Sequence, residues 1–229
     1  MSPRALYAIN NSEYIVGYNH YIDLIRDIIK DKKIVNTGMM QEIARCQKAV
    51  DIAAEGSSVC VVSSGDPGIY GMAGLVLELV QKLPEEMRPE VEIIPGISAV
   101  SMAASILGAP LMHDFAVISM SDLLTPWEKI ELRIKMAAQG DFVTAVYNPR
   151  SKKRVEHIKK FQQIMLEHRD PKTPVGIVTN AAREGQSAVI STLDKFTDEQ
   201  IDMFSVVIVG NSYTYEKDGK MITPRGYEV

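Results

Sequence analysis

Ser57-Ser58-Val59-Cys60-Val61-Val62-Ser63-Ser64-Gly65-Asp66-Pro67-Gly68-Ile69-Tyr70-Gly71-Met72-Ala73-Gly74 is the stretch whose reading decides the fold. A β-branched apolar run of strand length passes into a loop carrying Gly65, Gly68 and Gly71, and a helical pattern (Leu75, Val76, Leu79, Val80) follows at once. Strand, cradle and helix start in that order are the parts of an open α/β sheet. Ligands in such sheets lie beyond the carboxyl ends of the strands, and glycines let them approach the backbone. No Gly-Lys-Ser/Thr follows the loop, and its glycine spacing does not match G-x-G-x-x-G, so the common nucleotide cradles are excluded. Asp66 repels a phosphate and suits hydroxyls, an amine or a positive charge; a plain Gly-Asp-Pro-Gly turn is the alternative.

The bulk properties narrow the class. The chain has 229 residues, 46% of them apolar and 24% charged, with a net charge of −4. That length supports one large or two small domains. No apolar run approaches the roughly 20 residues needed to span a bilayer, and Met1-Ser2-Pro3-Arg4-Ala5 does not read as a signal peptide, so a cytoplasmic protein is expected. Cys46 and Cys60 lie outside any C-x-x-C spacing and fit buried structural positions. Four scattered histidines give no metal-ligand spacing, so no metal is expected, and mild acidity argues against a nucleic-acid partner.

Working outward along the chain, Ser2-Pro3 reads as an N-cap and first-turn proline of a short helix reaching Ile9. Strands are expected at 14–17, 34–35 and 91–94. Helices are expected over 21–29 and over 39–54, the latter with Ile43, Cys46 and Val50 inward and Gly56 as its stop. The small-residue segment 99–107 reads as a helix with Ser98 and Ala99 at its mouth, facing either a neighbour or a ligand. Gly108-Ala109-Pro110 marks a boundary between domains 1–109 and 110–229. Beyond it strand and helix alternate again: strands at 115–119, 142–147, 175–179, 188–192 and 205–209, helices over 127–138 and 152–167. Asp218-Gly219 between two short β-prone runs predicts a terminal hairpin.

Asn148-Pro149-Arg150-Ser151-Lys152-Lys153-Arg154 places three cations in the first turn of the helix expected over 152–167, against its dipole. A solvated surface patch is one reading. The position after a strand favours another, in which Arg150, Lys152, Lys153 and Arg154, with Arg183 and Arg225 from later loops, meet a ligand bearing several carboxylates.

The ordered motifs Ser64-Gly65-Asp66-Pro67-Gly68-Ile69-Tyr70-Gly71, Ile94-Pro95-Gly96-Ile97-Ser98-Ala99, Tyr147-Asn148-Pro149-Arg150-Ser151-Lys152-Lys153-Arg154 and Thr223-Pro224-Arg225-Gly226-Tyr227 resemble the tetrapyrrole methylases of cobalamin synthesis. The last two motifs look most like the branch that methylates C17 of precorrin-3B or cobalt-factor III. The resemblance implies two α/β domains with a cofactor cleft between them, a homodimer, S-adenosyl-L-methionine as cofactor and a tetrapyrrole as substrate. It implies that Gly65, Asp66, Ile69, Ser98, Ala99, Asn148 and Ala181 line the cofactor site. The same branch contracts the macrocycle and closes a lactone, a step for which His113 and Asp114 are candidate acid–base groups; a buried structural histidine is the other reading. Relatives open with an apolar strand and a Gly-x-Gly-Pro-Gly loop, whereas this chain opens at the helix that follows them. The first strand of the N-terminal domain is therefore expected to be missing. Rival readings are a methylase of another ring carbon or of a protein side chain, and a non-catalytic module that binds S-adenosylmethionine or a tetrapyrrole.

Overall fold

The computed structural model describes residues 1–151 and 154–228, which fall into two compact units, Met1–Ser98 and Ala99–Val229. In the first, α1 (Pro3–Asn11) is capped by Ser2, whose Oγ accepts the Ala5 N–H at 3.2 Å. Next come β1 (Tyr14–Tyr18), the short helix α2 (Asn19–Asp23), β2 (Lys33–Thr37), α3 (Glu42–Ala54), β3 (Val59–Val62) and α4 (Ala73–Gln81). The three strands are parallel in the order β2-β1-β3.

Alternation of side chains along these strands builds two apolar layers. Ile15, Cys60 and Val62 join Ile9, Ile22 and Ile29 on one face, while Val61 joins Cys46, Val50, Met72, Leu79 and Val80 on the other. Burial raises both thiol pKa values, that of Cys60 from 9.0 to about 11. Since only the thiolate alkylates, iodoacetamide at pH 8 should modify Cys60 about a hundredfold more slowly in the native chain than in urea. Equal rates would show that the thiol is not held in this layer.

The second unit holds α5 (Ala99–Leu107), β4 (Gly108–Ala109), β5 (Phe115–Ser119), α6 (Trp127–Gln139), β6 (Val143–Tyr147), α7 (His157–Leu166), β7 (Pro174–Thr179), β8 (Ser187–Thr192), β9 (Ser205–Val209), β10 (Tyr215–Lys217) and β11 (Lys220–Ile222). Its main sheet has the order β5-β6-β9-β7-β8. Helices α6 and α7 cover one face through Ile130, Ile134, Ile158, Phe161 and Met165; α5 covers the other through Val100, Ala103, Ala104 and Leu107. A Cβ at Gly176 would lie 2.3 Å from the Leu107 side chain, so this glycine makes the seat into which α5 packs. The expected hairpin forms, with Asp218 and Gly219 both at positive φ, and β11 pairs with β4.

Four sequence expectations are corrected. Residues 91–94 form no strand, because no ladder partner lies beside them among the described residues, and Ile93 is 45% exposed. The helix expected over 21–29 breaks into α2 and a 3₁₀ turn, Arg26–Ile28, which together still bury Ile22 and Ile29. Helix α3 starts at Glu42, after Met40 at φ 63°, and Ile43 in its first turn is 68% exposed. Helix α7 starts at His157, so Arg154 precedes the helix instead of lying in its first turn; Lys152 and Lys153 lie outside the described residues. The units meet in sequence at Ser98–Ala99, ahead of α5, whose apolar face packs on the second sheet.

Candidate functional site

At the carboxyl end of β3 the chain turns through Gly65 at φ 74° and curls back, the Ala73 N–H bonding the Pro67 carbonyl at 3.0 Å. Both Asp66 carboxylate oxygens accept backbone bonds: Oδ1 from the Gly68 N–H at 2.8 Å and Oδ2 from the Gly96 N–H, thirty residues on, at 2.9 Å. The two segments are so close that a Cβ on Gly96 would stand 2.0 Å from the Gly65 carbonyl oxygen. Asp66 thus ties the 65–71 loop to the 95–98 segment, and its oxygens keep further lone pairs for a ligand. Ile69, 41% exposed, and Tyr70, held at φ 53°, project from the same turn. Ser98 is buried at the end of this segment and Ala99 opens α5. Peptide groups beside exposed apolar side chains, with a pinned carboxylate among them, fit a ligand that has both an apolar face and hydroxyl or amine groups.

In the second unit β5, β6 and β7 point the same way, since β5 pairs parallel with β6 and both β6 and β7 pair antiparallel with β9. The loops that follow them therefore share one edge of the sheet. There Asn148, Asn180 and Ala182 adopt φ of 51°, 52° and 56°, a left-handed conformation that asparagine tolerates and alanine rarely takes. The Asn148 side chain donates to Ser119 Oγ at 2.9 Å. Ala181 is half-buried against the α5 layer, and the Arg183 N–H bonds the Asn180 carbonyl at 2.9 Å. Arg150 is exposed, whereas the Arg154 side chain is turned inward and only 15% exposed. The Tyr147 hydroxyl accepts the Val100 N–H at 2.9 Å, fastening the start of α5 to the end of β6.

His113 and Asp114 sit at the other end of β5. His113 is exposed rather than buried, its Nδ1 accepting the Asp114 N–H at 2.9 Å, and a strand's length, about 17 Å, separates the pair from Asn148. Arg225 comes to this end, donating to the Met112 carbonyl at 3.4 Å. The structure thus brings Arg225 beside the His113 segment, and it gathers Asn148, Arg150, Ala181 and Arg183 on the opposite edge. Sequence inspection missed Asp122, His157 and Trp127, which follow one another from Arg154: Asp122 stands 3.6 Å from its Nε and pairs with His157 at 3.2 Å, and the Trp127 and His157 rings meet edge-on at 4.5 Å. Three polar or aromatic residues spread over 35 positions leave no local spacing to notice.

Two α/β units whose strand ends carry glycine turns and left-handed asparagines are of the class in which open sheets bind small molecules beyond their strand ends. Residues 1–197 match the Tetrapyrrole (Corrin/Porphyrin) Methylases, and the chain belongs to that family. It is 49% identical over 227 residues to a probable cobalt-factor III C(17)-methyltransferase of Salmonella typhimurium, covering 99% of this chain and 93% of that protein. It is also 49% identical over 230 residues to the cobalt-factor III methyltransferase of Priestia megaterium, there spanning all of this chain but 43% of that longer protein. The crystal structure of the methyltransferase CobJ superposes with a TM-score of 0.92 at 37% identity, covering 98% of this chain and 93% of the other.

Proposed function

We propose that this chain is an S-adenosyl-L-methionine-dependent C-methyltransferase that acts at C17 of a tetrapyrrole, precorrin-3B or cobalt-factor III, in cobalamin biosynthesis. The observation that carries this reading is the Asp66 bridge between the Gly65 turn and Gly96, which rigidifies the two motifs that mark the family. The near full-length identity to the Salmonella relative supports the choice of substrate. The reading takes the protein as a cytoplasmic homodimer with domains 1–109 and 110–229, and it includes no nucleic-acid partner and no metal cofactor.

When bound, the cofactor supplies an electrophilic methyl group on a sulfonium. Gly65, Asp66, Ile69, Ser98, Ala99, Asn148 and Ala181 are the residues that would hold it. Arg150, Lys152, Lys153 and Arg183 would take carboxylate arms of the macrocycle and fix the accepting carbon in line; Arg225, at the opposite end of the second sheet, stands apart from that group. Orientation of this kind is worth roughly 7–11 kcal/mol and requires no protein nucleophile. His113, exposed and beside the Arg225 segment, serves as the proton-transfer group of ring contraction, with Asp114 next to it.

Purified chain incubated with S-adenosylmethionine and either tetrapyrrole should give a product heavier by one methyl at C17, read by mass spectrometry and carbon NMR. His113→Ala should still methylate and lose ring contraction; normal contraction removes His113 from the reaction. Methylation at another ring carbon, or cofactor binding with no methylated product, defeats the assignment itself.

A further inference from the structure

Arg154 lies within the basic cluster, yet its guanidinium turns into the protein. Its Nη1 donates to the Met120 carbonyl at 2.8 Å and to the Asn148 carbonyl at 3.3 Å, and its Nε stands 3.6 Å from Asp122 Oδ1. The other Asp122 oxygen faces His157 Nε2 at 3.2 Å, and His157 is in turn braced by the edge-on Trp127 ring. The backbone of Arg154 closes a turn of its own: its N–H bonds Ser151 Oγ at 3.1 Å, and its carbonyl accepts the Ser151 N–H at 3.2 Å.

Met120 leaves β5 and Asn148 leaves β6, so one side chain fastens the two loops that carry this edge of the sheet. A third tie, from the Met120 N–H to the Tyr147 carbonyl at 2.9 Å, lies between them. Asn148 has a left-handed backbone, which asparagine tolerates, and Arg154 bonds its carbonyl directly.

We infer that Arg154 is a positioning residue, with Asp122 as its anchor: it holds Asn148 and the two post-strand loops as one rigid rim and takes no substrate carboxylate. The inference deepens the proposed function, since the rim it fixes is where Asn148 would meet the cofactor. A guanidinium reaches two carbonyls and a carboxylate at once because its donors are fixed in a planar fork; a lysine ammonium at this position does not.

Hydrogen exchange on the ligand-free chain tests this. Arg154→Ala and Arg154→Lys should both speed exchange of backbone amides in residues 119–123 and 147–151 by about tenfold or more, while amides of β7 and β9 stay protected. Unchanged exchange in both loops overturns the inference, whatever the chain proves to bind. Calorimetry with S-adenosylhomocysteine supplies a second readout. A positioning role weakens its binding about tenfold in both variants, lysine giving no rescue. A carboxylate clamp instead leaves that affinity intact and raises only the KM for the tetrapyrrole, with lysine restoring part of the loss, and that result also overturns the inference. Wild-type protein that binds no S-adenosylhomocysteine defeats the proposed function, and the exchange data then decide the role of Arg154 alone.

Discussion

Gly96→Ala should abolish most S-adenosylhomocysteine binding while leaving the second unit folded. The added methyl would sit 2.0 Å from the Gly65 carbonyl oxygen, a backbone atom that has no rotamer with which to move aside. The 95–98 segment must therefore back away from the Gly65 turn, and the Asp66–Gly96 bond is lost with it. Overpacking of this kind costs about 1–3 kcal/mol, and the separation of the two motifs adds a loss of affinity of about tenfold or more. Calorimetry checks the affinity, and circular dichroism on melting checks that the α6 and α7 layer persists. Wild-type affinity in this variant would mean that the two motifs do not act as one site.

Asp66→Ala should be next in effect. It strips an acceptor from both the Gly68 and the Gly96 N–H groups. Hydrogen bonds to charged groups contribute about 1.5–3 kcal/mol, less here because Asp66 is half-exposed and water replaces part of the loss. A ten- to hundredfold weaker S-adenosylhomocysteine complex is a reasonable order of magnitude. Asp66→Asn separates the contributions: it keeps one acceptor oxygen and turns an NH₂ toward the other N–H, so its affinity should fall between those of wild type and Ala. If Ala and Asn both bind as wild type does, Asp66 belongs to the turn and not to the site.

The sheets were legible in the chain because their strands are short, nearly continuous apolar runs. Val59 to Val62, Val143 to Tyr147 and Ser205 to Val209 are short β-branched runs bounded by turn residues, and each forms its expected strand. The failures have one physical source, which is that local pattern does not report the neighbour. Residues 91–94 have strand composition, but a strand exists only as half of a ladder. Ile43 has the right spacing for an inward position, yet its place in the first turn of α3 leaves it in solvent. The candidate site was partly legible: the glycines and Asp66 stood out after a strand as a ligand-sized loop, and Asn148–Arg154 as a basic cluster at another strand end. The inward fold of Arg154 was not, because its partners are two carbonyls and a carboxylate brought from other loops.

Strand β3 ends the first sheet. It pairs with β1 on one side, and among the described residues no strand lies on the other. Val59, Cys60, Val61 and Val62 are all only half-buried, and none carries a charge, a proline or a bulge to blunt the margin. A strand margin with no neighbouring strand is a template on which an extended polypeptide can continue the hydrogen-bond ladder. A net charge of −4 gives weak mutual repulsion, so the Val59–Val62 margin is the place where a charged residue or a proline would block ladder extension.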